Sequence, residues 1–231
     1  MRGEVGRGSL RPVDVSEALY TTRAMRRVRP DPIPMDAQAR ILAAAVRAPS
    51  GGNSQTWRFL LVDDPEVKAQ IGPIYRRCMT DLWATYYKAR IDGALATPDD
   101  PESQSFLRVQ RSAQHLADAF EAYPLLMFGF SLHDASGGSI YPAVWSAQLA
   151  ARAEGVGTAL TSVLIFAKDE IYDILGVPKD EGWQMACMVS FGYPTGRWGV
   201  AARIPAHEVA NRNQWGQPVG FEVPDPLWPP K

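Results

Sequence analysis

Four arginines, Arg23, Arg26, Arg27 and Arg29, fall within seven residues just ahead of Pro30, Pro32 and Pro34. On helical spacing Arg23 neighbours both Arg26 and Arg27, so at least two guanidiniums can converge on one anion, for which phosphate is the natural guest. The same cluster also reads as a solvated basic face at a helix C-terminus. A second candidate is the run Ser50-Gly51-Gly52-Asn53-Ser54-Gln55 before Trp57. Its polar side chains offer more donors and acceptors than a turn consumes, and its glycines admit close backbone approach. Such a loop either bonds something beyond itself or is merely solvated.

Other chemistries find less support. Gly155 and Gly157 in EGVGTAL lack the third glycine of a dinucleotide fingerprint and follow a helix where that motif needs a strand, so a helix C-cap is the better reading. LTSVL lacks the glycines of a nucleophile elbow, and His115 and His133 have no serine and carboxylate company. The pairs Asp63-Asp64, Asp99-Asp100 and Asp180-Glu181 sit in turn contexts that favour solvation. No side chain stands out as a catalytic acid, base or nucleophile.

The elements that must position these residues follow from periodicity. Helices are expected from Asp14 or Ser16, from Asp36 to Ala48, through residues 65–91 with a break near Gly72-Pro73, over about Ser105–Glu121, over Ser139–Glu154, and briefly through Ile171–Leu175. WRFLLVDD, YPLLMFGFSL, GTALTSVLIF and WQMACMVSFGYP read as strands, and GALATPDDPESQ as a loop. Residues 1–13 are expected to be disordered. The tail from Thr195 carries Trp198, Trp215, Phe221 and Trp228 and should lie across a surface, that of a partner subunit included. Long helical blocks between strands point to a layered sheet-and-helix domain.

Composition narrows the class. With 231 residues, 46% of them hydrophobic, one large core is expected, and a formal net charge of −1 provides no global field for nucleic acid or an anionic membrane. Cys78 and Cys187 are far apart and the three histidines are unclustered, which argues against a disulfide framework and a metal site and fits a reducing cytoplasm. No stretch approaches the roughly 20 apolar residues of a membrane span.

Taken in order, TTRAMRRVRPDPIP, ILAAAVRAPSGGNSQTWRFLLVDD, SAQLAARAEGVGT and FGYPTG with ARIP resemble the nitroreductase family of flavoproteins over residues 14–216. The resemblance implies an α+β fold, a three-layer α/β/α sandwich on a mixed, largely antiparallel sheet, in an intertwined homodimer with one FMN in each of two interface sites. It divides the chain into a disordered segment 1–13, an FMN-binding domain 14–216 and an arm 217–231 packed on the partner. The family's early arginine motif falls on Arg23, Ala24, Met25 and Arg26, implying that Arg23 and Arg26 hold the phosphate and ribityl end, with Arg27 in reserve. Its polar loop motif falls on Ser50, Asn53, Gln55 and Trp57, and this loop, Gly51 included, would reach the flavin of the other subunit. Leu160, Thr161 and Ser162 match the segment near flavin N5, and Arg203 matches a late phosphate-binding arginine. Ala24, Thr56 and Ala201 depart from the pattern; the first and third remove possible phosphate contacts, for which Arg197 or Arg212 could compensate.

The resemblance thus implies an FMN-dependent oxidoreductase passing electrons from NADH or NADPH to a small organic acceptor such as a nitroaromatic or quinone, with the chemistry on the flavin itself. Residues around Trp83, Tyr86, Tyr87 and a loop from Asp92 to Ser103 would select the acceptor. The alternatives are a flavin-dependent dehalogenase or flavin-fragmenting enzyme of the same fold, and a non-catalytic flavin- or nucleotide-binding protein.

Overall fold

The computed structural model describes residues 13–223 and Trp228. The expected disorder before residue 13 and most of the arm's end therefore lie outside the described residues. Four strands, β1 (Trp57–Val62), β2 (Leu125–Ser131), β3 (Gly157–Thr161) and β4 (Gln184–Gly192), form one sheet in the order β1-β2-β4-β3, every neighbouring pair antiparallel. A parallel bridge from Ala24 to Thr158 at the β3 edge makes the sheet mixed.

Alternation along the strands divides the core in two. Leu126, Phe128 and Phe130 of β2 face one side, packing with Ile71, Ile74 and Leu116, whereas Leu125 and Met127 face the other with Ile41, Ile140 and Val144. A bulge where Gly129 pairs Cys187 but Phe130 pairs Met185 skips Ala186 and turns Met185 onto the first side. The first layer holds α3 (Pro65–Ala84), α5 (Pro101–Asp118) and α7 (Lys168–Leu175). The second holds α2 (Met35–Ala45) and α6 (Ile140–Ala153). Ala143, Ala147 and Ala151 are fully buried along α6, so its backbone lies close to α2 and the sheet. The arrangement is a three-layer α+β sandwich.

The strand expected over residues 157–166 stops at Thr161, and Val163–Ala167 turn into a 3₁₀ helix with Val163 and Leu164 buried in the core. Two further expectations fail for physical reasons. α3 runs unbroken through Gly72-Pro73. An interior proline costs about 3 kcal/mol, but Ile71, Ile74, Tyr75 and Met79 are buried on the same helix at roughly 1.5–3 kcal/mol each, so burial wins. Gly72 serves packing instead, since a Cβ there would meet Glu121 Oε1 at 1.9 Å, where Glu121 pairs with Arg76. The expected loop over 92–103 is mostly helical: α4 (Lys88–Ala96) and α5 flank a short turn, Asp100 caps α5 by accepting from Ser103 N at 2.7 Å, and Pro101 occupies its first turn.

The short α1 (Val15–Thr21), capped by Asp14, is clipped to α6 by buried Arg152, which bonds Glu17 at 3.0 Å and Thr21 Oγ1 at 2.8 Å. The other face of the Arg152 guanidinium lies 4.1 Å from the Trp198 ring, so this part of the tail packs on its own chain. Trp215, by contrast, is 95% exposed.

After α1 the chain lies over the sheet edge at two glycines. A Cβ on Gly157 would approach Met25 Cβ to 2.7 Å, and one on Gly192 would approach Val28 Cβ to 2.7 Å. Gly192→Ala should destabilise by about 1–3 kcal/mol through overpacking, a fall of roughly 2–4 °C per kcal/mol in a thermal melt. Gly196→Ala, whose Cβ meets nothing within 4 Å, should leave the melting temperature unchanged.

Candidate functional site

The arginine cluster is not helical. Residues 23–29 are extended, fixed by Met25 N to Thr158 O at 2.8 Å, Arg29 N to Tyr193 O at 2.8 Å and Thr195 N to Arg27 O at 3.0 Å, with the Tyr123 hydroxyl donating to Arg26 O. The side chains consequently go to different places rather than to one point. Arg26 enters a cavity, Arg23 donates to Arg197 O at 3.1 Å, Arg27 is exposed, and Arg29 pairs with Asp31 at 3.1 Å. Met25 is buried against Gly157, and Ala24 forms the bridge to Thr158.

The cavity that receives Arg26 measures about 590 Å³ and combines Leu160, Thr161 and Ser162 at the end of β3 with walls from α3, α4 and α5. Arg26 Nη1 donates to Ser112 Oγ at 3.4 Å, and burial lowers its pKa, though not enough to discharge a guanidinium. Tyr75 donates to Thr161 Oγ1 at 3.5 Å, and burial pushes its phenol up to about 12. Burial also raises Tyr123. An aromatic wall runs from Trp83 to Tyr87 at 5.3 Å and on to Phe106 at 6.1 Å, with the Arg90 guanidinium 4.3 Å from the Phe106 ring. Arg90 and Glu102 both line the cavity, and neither has an ion-pair partner among the described residues. The sequence pointed to Trp83, Tyr86 and Tyr87 here. It did not point to Tyr75, Arg90 or Phe106, although Arg90 follows Tyr87 by about one turn within the helix expected through residue 91, a spacing that could have found it.

Arg203 lies elsewhere, lining a smaller cavity of about 250 Å³ with Tyr20, Thr22, Ile204 and Val223. Among the described residues its guanidinium donates only to the neighbouring Ala202 O, at 2.9 Å. Thr22 Oγ1 is buried and has no hydrogen-bond partner among the described residues. Arg212 is engaged with Val219 O at 2.6 Å, on another part of the tail.

The polar loop folds as a short 3₁₀ turn, Gly51–Asn53, with Gly52, Asn53 and Gln55 all at positive φ. Two of those three are not glycine, a strained arrangement held by Gln55 N to Ser50 Oγ at 3.1 Å, Gln55 Nε2 to Asn53 Oδ1 at 3.1 Å, and Gly51 N to Ser139 Oγ at 3.3 Å. Gly51, Asn53 and Gln55 are exposed, Ser50 is half-buried, and none of them lines the cavity that holds Arg26 in their own chain. Among the described residues no group of acidic, histidine and cysteine side chains could hold a metal ion, and no helix is long and apolar enough to cross a membrane.

Residues 19–193 match the family model described as "Nitroreductase family". The chain is 30% identical over 205 residues to an NADH dehydrogenase of Thermus thermophilus, covering 85% of this chain and 95% of that one. It is 29% identical to a 5,6-dimethylbenzimidazole synthase of Rhodospirillum rubrum over 78% of this chain and 82% of the relative. Iodotyrosine deiodinases appear in both kinds of comparison. The Rattus norvegicus protein is 31% identical over 87 residues, 34% of this chain and 30% of its own length. A crystal structure of an oxidised iodotyrosine deiodinase bound to FMN and 3-iodo-L-tyrosine superposes with a TM-score of 0.67 at 22% identity, over 86% of this chain and 98% of that one.

The raised phenol of Tyr75 makes stability depend on alkaline pH. Below pH 10 folded and unfolded chains both hold its proton. Between pH 10 and about 12 the unfolded chain has released it while the folded chain retains it, so this contribution is lost at about 1.4 kcal/mol per pH unit. Urea midpoints measured from pH 9 to 11 should fall more steeply for the native chain than for Tyr75→Phe.

Proposed function

The chain belongs to the nitroreductase family, and from that premise we propose that it is an FMN-dependent oxidoreductase that draws on NADH or NADPH and reduces a planar aromatic second substrate. The observation that carries this reading is the cavity where Arg26 and the end of β3 meet the aromatic wall of α3, α4 and α5. The donor set fits the cofactor: a half-buried Arg26 with no carboxylate partner suits the polar edge of a flavin ring, and Arg23 and Arg203, likewise without carboxylates, suit its phosphate.

When bound, FMN supplies hydride acceptance at N5 and electron delivery to the second substrate. The chain's own residues bind and orient. Arg26 would hold the group by its polar edge, offering a fixed positive charge in the cavity. The Thr161 hydroxyl accepts from Tyr75 at 3.5 Å and from Val163 N at 3.4 Å, so its own proton would be available to a bound flavin. Trp83, Tyr87 and Phe106 keep water from the aromatic substrate.

For the second substrate, the dehalogenase-type alternative has more support than a nitroaromatic or quinone. Deiodinases recur among the sequence and structure relatives, and the aromatic wall carries Arg90 and Glu102 free to orient a polar substituent. The reaction balances as NAD(P)H plus aryl halide giving NAD(P)⁺, arene and halide ion. The Ser50–Gln55 loop, unused in its own chain's cavity, supports a homodimer in which it completes the partner's site, within an FMN-binding domain of residues 14–216; the arm expected to pack on the partner has Trp228 6.3 Å from Tyr20 of its own chain instead.

Heat-denatured protein should release FMN, and anaerobic NADH or NADPH should bleach the bound flavin within minutes. The reduced protein should then release iodide from an ortho-iodophenol faster than it consumes a nitroarene. Released FAD, or colour that persists with both nicotinamides, would contradict the enzyme reading; faster nitroarene turnover would contradict only the choice of acceptor.

A further inference from the structure

Two charges besides Arg26 line the larger cavity, Arg90 and Glu102, and the fold accounts for only one of them. Glu102 stands in the first turn of α5, just after Pro101, where the positive end of the helix favours a carboxylate. Arg90 stands in the first turn of α4, where the same effect works against a cation. Lys88, in the same turn, offsets that cost by pairing with Asp92 at 2.6 Å. The Arg90 guanidinium has no ion pair and no hydrogen bond among the described residues. It lies instead over the Phe106 ring, 4.3 Å from its centre. An arginine laid on an aromatic face keeps its N–H edges free in a fixed orientation, the fork that takes a carboxylate through two parallel bonds.

The helix also sets the length of a guest. Phe106, which carries Arg90, lies six residues before Ser112, the partner of Arg26, and six residues of α-helix rise about 9 Å. A benzene ring bearing a short acidic side chain spans that interval, and the wall beside it, Trp83 and Tyr87, is aromatic. Resting on the oxidoreductase reading above, we propose that the aromatic second substrate carries a carboxylate and that Arg90 selects it. The ring lies along Trp83 and Tyr87, its reducible substituent toward Thr161 and its carboxylate in the Arg90 fork. Phe106 is a positioning residue that holds the guanidinium over the cavity. A neutral phenol or quinone leaves the fork empty and forgoes its charge-assisted bonds.

The test separates carboxylate from ring. Holoprotein is titrated by calorimetry with 4-hydroxyphenylacetate and with 4-methylphenol, which keeps the ring and hydroxyl without the acid. The native protein should bind the acid about ten- to a hundredfold more tightly. Arg90→Gln should erase that difference by weakening the acid alone, and Arg90→Lys should restore part of it. In turnover, Arg90→Gln should raise KM for 4-hydroxy-3-iodophenylacetate by the same factor with kcat unchanged, and leave both constants unchanged for 2-iodophenol. Equal affinity of the native protein for both phenols, an equal effect of Arg90→Gln on both, or a preference for 3-iodotyramine, which carries an ammonium instead, would overturn the proposal. Arg90-dependent binding of the acid with no turnover of any iodophenol would uphold it and overturn the dehalogenase reading on which the choice of acceptor rests.

Discussion

The close approach of residues 23–29 to the sheet edge at Gly157 and Gly192 is the constraint on which the site depends. With no Cβ at either glycine, Met25 and Val28 settle directly on the ends of β3 and β4, and the backbone bonds to Thr158, Tyr193 and Thr195 hold the segment extended. Extension then sorts the side chains, because successive residues of a strand point oppositely. Met25 goes into the core and Arg26 into the cavity. Arg152 secures the start of the same segment by holding α1 and Trp198 together. Its ion pair with Glu17 is buried, so it fixes geometry more than it stabilises.

Much of this was legible in the sequence. β2 and β4 announced themselves as continuous apolar runs because both faces of a central strand are covered, and α6 through alanines at helical spacing. The arginine and polar-loop motifs were found by residue type and order. What misled was local propensity. Gly72-Pro73 reads as a break until the burial of Ile71, Ile74 and Tyr75 is known, and residues 92–103 read as a loop because the cap formed by Asp100 and Pro101 was taken for turn chemistry. Helical spacing also grouped arginines that an extended backbone separates. Tyr75, Arg90 and Phe106 escaped entirely, since each matters through neighbours remote in sequence.

The two arginine-lined cavities imply a division of labour that suits a flavoprotein. The larger is aromatic-walled and reaches the end of β3, where a ring would lie against Leu160–Ser162; the smaller is mostly apolar and carries one charge, Arg203. Neither uses the Ser50–Gln55 loop. That loop holds two non-glycine residues at positive φ and turns its exposed polar groups away from its own chain's cavity. Strain of this kind persists where surrounding structure or function requires it. Completion of a partner's site, as proposed above, is a requirement that would account for it.

Complementation between two inactive chains tests this composite site most directly. One chain carries Arg23→Ala with Arg26→Ala; the other carries Gly51→Phe, at a position where an added Cβ meets nothing within 4 Å of its own chain. In a mixed dimer one site collects both lesions and the other neither. The account predicts that the heterodimer, isolated with two different tags, regains one FMN per dimer and about half of native turnover while both parent homodimers stay near zero. A folded heterodimer as inactive as its parents would contradict it.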